Sequence, residues 1–468
     1  GRSNSATRLG AVAIGGMLNI ASGERSLAAG GEHNEASGYE SMTLGGRLNT
    51  AAGSYSVTIA GIGARATSEN SVVVGGRSNS ATNTGSVAIG GKQNIASGER
   101  SLTLAGIGSR ATSENAVVVG GRSNSATNTG SVAIGGKSNE ARGERSLTAA
   151  GEDNIAYGYE SMALGGSSNE VRGNYAVSIA GMSNSATGEN SVTVGGRENK
   201  ATKTGSVAIG GKSNEAKGER SLTAAGENNI AEGYESMALG GTLNVSKSSY
   251  SVTIAGISNS ATAENSVALG GRNNKATEVG AVVLGGGSND AEGYRAVAAG
   301  GDNNWAAGQE SMALGGTLNR ADGLRSVTVG GRSNTASGDD SVAIGGRGLV
   351  ASYTGSVAIG GLSNESSGQR SLALGGSSNE AKGTDSVTLS GRENESKGLI
   401  AVTISGMSNS ARGQNSILLG GKDNQTFASS DAGVIASNPE GGNGAVIITG
   451  GSNEARGARS VIVGGMHH

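Results

Sequence analysis

A pattern that restarts every fifteen residues governs what this chain can fold into. Counting from Ser86-Val87-Ala88-Ile89-Gly90-Gly91, the same template begins 28 times in succession between Ala11 and Ser416 with no residue inserted or deleted, and twice more at Ala445 and Ser460. It reads small, aliphatic, small, aliphatic, small, Gly, any, any, Asn, any, Ala, any, Gly, any, any. Position two is Val, Leu, Met or Ile and position six is Gly in all 30 rungs. Alternation of aliphatic and small residues has period two, which excludes helix and predicts a short β-strand ended by Gly. The remaining residues fit two tight turns and a second short strand around the Ala of position eleven, which is one coil of a solenoid. So small a coil cannot bury its own apolar face and must stack on its neighbours. With strands about 4.8 Å apart, the expected object is a rod of about 140 Å. Composition agrees: 86 Gly with one Pro, one Phe, one Trp and nine Tyr in 468 residues excludes both collagen and an aromatic-rich globular core.

Two substitution patterns refine the coil. Asn fills position nine in 26 of 29 complete rungs, and the exceptions, Ala64, Ser109 and Leu349, each follow a Gly: Gly63, Gly108 and Gly348. The trade predicts a backbone near this corner that needs φ > 0, and stacked Asn side chains that bond along the axis. At the other corner, Asn83, Asn128, Lys203, Glu278 and Tyr353 replace the Gly of position thirteen, and a Gly follows two residues later, which predicts a change of turn type. Those late Gly residues recur mostly at a spacing of five rungs, with one three-rung duplication in which Arg77 to Lys92 reappears as Arg122 to Lys137. Ala replaces the aliphatic of position four at Ala29, Ala149, Ala224 and Ala299, and the next rung brings Met42, Met162, Met237 or Met312, a small-for-large exchange within one packed layer.

Two orientations of the aliphatic row are open. It could face the interior of a rounder single-chain helix. Alternatively, the small residues face inward against the Ala of position eleven, and the coil is narrow. The Ser, Ala, Thr and Gly of the small face favour the narrow coil. About 60 outward aliphatic side chains then greatly exceed the few hundred Å² of apolar patch that a monomer exposes, so further copies of the chain must cover them.

The Ser86-Val87-Ala88-Ile89-Gly90 rung and its 30-fold repetition resemble the YadA-like head of trimeric autotransporter adhesins. The resemblance implies an all-β, left-handed parallel β-roll assembled as a homotrimer, with Val87, Ile89, Val132, Ile134, Val207, Ile209, Met162 and Met237 at the trimer core. It also implies display from the outer membrane of a Gram-negative bacterium, with a stalk and membrane barrel lying outside this sequence. The rungs have fifteen residues where that family often has fourteen, Gly doubles at positions five and six, and no heptad segment follows. The domains read as a continuous β-roll over 1–424, an irregular insertion or connector over 425–444, resumed rungs over 445–465 and a remnant over 466–468, where His467-His468 suggests a tag. The chain starts mid-rung, as an excised fragment would.

The implied function is attachment to host matrix, host receptors, glycans or other bacteria by multivalent lateral binding. Candidate ligand residues are the basic steps at position seven, Arg77, Lys92, Arg122, Lys137, Arg197 and Lys212, which read equally as a solvated edge that keeps strands from aggregating. Tyr159 and Tyr234 recur in phase with Tyr39 and Tyr294. They, with Trp305 and Phe427, are aromatic anchors or ordinary corner packing. No cofactor, metal or catalytic group is expected. His33 is the one non-terminal His, Glu24, Glu99, Glu144 and Glu219 each precede an Arg and read as surface ion pairs, and the nine-residue calcium phase is absent. A net charge of −2 gives no reason to expect nucleic acid as the partner. The competing readings are a monomeric ice-binding solenoid, weakened by the irregular Thr at position three, and a polysaccharide-cleaving β-helix enzyme.

Overall fold

The computed structural model describes residues 1–427, 444–456 and 459–465. It divides into two compact units, Gly1–Glu235 and Ser236–His468, and among the described residues neither contains a helix.

In the first unit each coil supplies one three-residue and one two-residue strand, such as Val87–Ile89 and Ile95–Ala96. Both pair in parallel with their equivalents one coil on: Val87 lies beside Leu102, Ile89 beside Leu104, and Ala96 beside Ala111. The second unit is built the same way, as at Val252–Ile254 and Ser260–Ala261. Its ladder passes from Ile417–Leu419 to Val446–Ile448, with Ile417 opposite Val446. The in-phase pairing thus survives an interval of twenty-nine residues where other neighbouring coils are fifteen apart. The connector expected over 425–444 falls largely on residues 428–443, which, like Pro439 within them and the terminal His pair, lie outside the described residues.

The space between the two sheets of each unit is filled by small side chains. Ser86, Ala88, Asn94 and Ala96 are fully buried, and the pattern recurs coil after coil. Position three therefore points inward, and positions two and four point outward, because successive strand residues face opposite sides. Thr103, Thr148 and Thr193 at position three are buried too, so no row of Thr faces water at this position, as an ice-ordering surface would need.

Close stacking explains the invariant Gly of position six. A Cβ on Gly91 would sit 2.1 Å from the Gly106 carbonyl oxygen, whereas one on Gly120 at position five would meet nothing within 4 Å. Ala105 accordingly replaces Gly at position five with φ 51°.

The positive φ expected near the Asn corner falls at position eight, as in Gln93 (56°) and Ser138 (54°), one residue before the Asn. The Asn forms the expected ladder along the axis: the Nδ2 of Asn139 donates to Gly135 and Ala150 carbonyls at 3.1 and 3.0 Å, and its Oδ1 accepts the Asn154 N–H at 3.1 Å. The change of turn type expected at the other corner needs correction. At the other corner φ is positive at position fifteen whether the residue is Gly85 (62°) or Arg100 (54°), so the turn conserves its shape. What changes is a hydrogen bond. The N–H of Gly98 donates across to Ala111 at 3.3 Å, whereas that of Asn83 donates to the Ser86 hydroxyl at 3.1 Å. Gly at position thirteen answers to backbone approach, since a Cβ on Gly98 would lie 1.9 Å from the Ser113 carbonyl oxygen.

Candidate functional site

Three surfaces are candidate sites, and each follows from which positions the coil turns outward. The first is the aliphatic face. Val87, Val132, Val207, Met162 and Met237 are half-buried by their neighbours along the ladder, while Ile89, Ile134 and Ile209 remain 37%, 41% and 41% exposed. The Ala-for-aliphatic exchange lies on this same face: Ala149 stands opposite Leu164, and Met162 opposite Leu147. The Met side chains thus adjust the relief of an outer surface, not of the coil interior.

The second surface is the corner at position seven with the outer side of the two-residue strands. Arg77 and Lys92 bridge in parallel, as do Arg122 and Lys137, and Arg197 and Lys212. All six are exposed. Their electrostatics differ. Lys137 pairs with Glu152 and Lys212 with Glu227 (2.8 Å), and Arg197 pairs with Glu198 at 2.9 Å. The hydrogen bond to Glu152 raises the Lys137 pKa. Arg77, Lys92 and Arg122 have no ion-pair partner among the described residues. Beside them runs a groove of about 890 Å³ lined by His33, Leu48, Gly63, Arg65, Gln93 and Arg110, among others. His33 itself lies 3.3 Å from Glu32.

The third surface is the opposite corner, where the Tyr residues stand. Tyr159 accepts a hydrogen bond from Arg145 at 2.7 Å, Arg145 also pairs with Glu160 at 3.3 Å, and Tyr175 packs edge-on against Tyr159 at 5.5 Å. The same group recurs as Arg25, Tyr39, Glu40 and Tyr55, with the rings 5.6 Å apart. Tyr234 repeats its first half with Arg220 and Glu235. The hydrogen bond to Glu160 raises the Tyr159 pKa, with desolvation adding to it, and Arg25 lowers that of Glu40. Arg25, Arg145, Tyr55 and Tyr175 were not singled out from sequence, although their spacing of about one period from the Tyr of position fourteen places them on neighbouring coils.

Trp305 is half-buried under the Arg320 guanidinium, 4.3 Å from its ring centre, and Phe427 lies between Arg412 and Arg456 at 5.8 and 5.5 Å. These aromatics are covered by cations and are not free platforms. Trp305 lies opposite Asp290 in the ladder, and desolvation, aided by Glu292, pushes the Asp290 carboxyl up to about 6. Among the described residues, no cluster of three or more His, Asp or Glu side chains could hold a metal ion.

Two segments, residues 255–273 and 331–347, match the family model described as the YadA head domain repeat. Each spans the fifth- or sixth-position Gly corner, the following Ala and the next aliphatic strand, so the match falls on the features that recur throughout the chain. No curated protein matches the chain.

Proposed function

We propose that the chain is a YadA-like head domain that assembles as a homotrimer displayed on the outer membrane surface of a Gram-negative bacterium. There it attaches the cell to host matrix, host receptors or other bacterial surfaces. The observation that carries this reading is the aliphatic face: coil after coil turns its Val, Ile, Leu and Met side chains away from its own interior, leaving Ile89, Ile134 and Ile209 well exposed in a single copy. So long an apolar stripe exceeds what a soluble monomer presents, and a threefold arrangement of identical stripes covers it. Val87, Ile89, Val132, Ile134, Val207, Ile209, Met162 and Met237 then meet their counterparts around the axis. Attachment uses the remaining lateral surfaces, where identical weak sites on three copies raise effective concentration.

Light scattering over a wide concentration range tests the assembly. A trimer mass is expected. Val87→Asp should dissociate it by placing an uncompensated charge where three copies meet. A single-chain mass for the unaltered protein refutes the proposal, and so does an unchanged mass and melting temperature for Val87→Asp.

A further inference from the structure

The second surface is not uniform along the chain. Between Ile62 and Ser125, positions seven to ten carry Arg65, Arg77, Lys92, Arg110 and Arg122, one cation on each of five successive coils, and not one Asp or Glu. All five are exposed. Arg65, Arg77, Lys92, Arg110 and Arg122 make no ion pair among the described residues. The stripe is closed at both ends by paired cations, Arg47 with Glu32 at 3.7 Å and Lys137 with Glu152. Acidic residues of these coils, Glu69, Glu99 and Glu114, sit at the opposite corner. Elsewhere in the first unit the same face is neutralised, for example by Glu198 and Glu215 beside Arg197 and Lys212.

Relief matches charge. Gly63 and Gly108 at position eight leave notches in the groove, and Arg65 and Arg110 flank those notches two residues on. Both notched rungs belong to the duplicated three-rung unit, so the second copy repeats the first after about 14 Å. Cations spaced by about 4.8 Å along a straight groove suit a linear ligand with closely spaced anionic groups. The rest of the stripe offers Ser78, Ser80, Gln93, Ser123 and Ser125, which are hydrogen-bonding partners for hydroxyls and sulfates. It holds no aromatic residue on which bases could stack.

We propose that positions seven to ten of coils 62–125 form a binding groove for a linear sulfated polysaccharide. The inference deepens the adhesin reading and rests on it. The test uses the full chain and a heparin dodecasaccharide as probe, by surface plasmon resonance at 50, 150 and 300 mM salt. Binding is expected to weaken steeply with salt through counterion release. Arg65→Gln with Arg110→Gln should reduce affinity at least tenfold and flatten the salt dependence by about one power per cation removed. Arg272→Gln with Arg332→Gln, two exposed cations elsewhere, should change affinity less than twofold. No binding at 50 mM salt, equal loss in the control pair, or equal affinity for desulfated heparin or for duplex DNA overturns the inference. Light scattering of each variant separates the two readings. Lost glycan binding in an intact trimer removes the groove alone, and a single-chain mass of the unaltered protein removes the head assembly.

Discussion

Replacing Asn139 by Ala removes one step of the buried amide ladder, and the hydrogen bonds around it fix what should follow. The Asn139 Nδ2 donates to Gly135, Ala150 and Gly151 carbonyls at 3.1, 3.0 and 3.2 Å. Each of those carbonyls keeps another donor: Asn124 for Gly135, Asn154 for Ala150, and the Lys137 N–H for Gly151. The Asn154 N–H, by contrast, loses the acceptor it has in Asn139 Oδ1 at 3.1 Å. One buried N–H left unpaired costs about 1–3 kcal/mol, so Asn139→Ala should destabilise by about 2 kcal/mol. The chain's own exceptions suggest the remedy. Where Asn is absent, position eight is Gly63, Gly108 or Gly348, all with positive φ, and a left-handed conformation strains a residue with a Cβ by about 1–2 kcal/mol. Adding Ser138→Gly, at φ 54°, should recover about 1 kcal/mol. Guanidinium unfolding followed by circular dichroism measures both changes, and native-state hydrogen exchange should localise the loss at the Asn154 amide. A single variant within 0.5 kcal/mol of the parent (about the scatter of surface substitutions), or a double variant no more stable than the single, refutes the account of the ladder.

Other perturbations read other parts of the fold. Gly136→Ala places a Cβ 2.2 Å from the Gly151 carbonyl oxygen and should cost about 3 kcal/mol through clash and positive φ together. Gly135→Ala meets nothing within 4 Å and should cost about 1 kcal/mol; thermal melts compare the two. The Asp290 carboxyl, pushed up to about 6 chiefly by desolvation, holds its proton more tightly folded than unfolded, so ionisation destabilises the fold progressively as pH rises from about 4 to 6. Asp290→Asn should therefore raise stability at pH 7 by about 1 kcal/mol once solvent screening is allowed for, with the gain gone near pH 4 in a pH series of unfolding curves. Ala149→Leu separates a covered aliphatic face from an open one. Overpacking against partner copies should cost about 1–3 kcal/mol and lower the trimer's melting temperature, whereas an uncovered face would tolerate it within about 0.5 kcal/mol.

The sequence carried the coil almost whole, because its informative positions are those where packing leaves no choice. Val87, Ala88 and Ile89 announce a strand and its two faces by period alone, and the small residues opposite Ala96 announce that the coil is thin. The corner conformations were less legible. Leu18, Leu48, Leu243 and Leu318 occupy position eight with φ between 55° and 58°, and nothing in a Leu signals a left-handed backbone. Stacking imposes it: the N–H of Leu48 donates to the Glu32 carbonyl at 2.9 Å, and equivalent bonds recur from coil to coil, so neighbours over-determine a conformation the residue would not choose. The Arg–Tyr–Glu corner was hidden for a related reason. Arg145 is separated by fourteen residues from Tyr159 and by fifteen from Glu160, so the three meet only after the period is converted into a stack.

Thinness links the fold to the proposed assembly. Ala88 and Ala96 are fully buried between sheets whose inner side chains are mostly Ser, Ala and Thr, and such side chains hold the two sheets too close to admit a second layer of Val and Ile. Where a larger residue does enter, as at Val73 and Val118 at position three or Val171 at position eleven, the aliphatics at positions two and four stay outside. A single copy therefore gains its cohesion from backbone ladders and the Asn row, while its largest hydrophobic side chains contribute little until another surface covers them. Because the uncovered residues recur with the coil period, a partner of matching period covers them, and under the proposed assembly a further copy of this chain, set in parallel, supplies that period by construction.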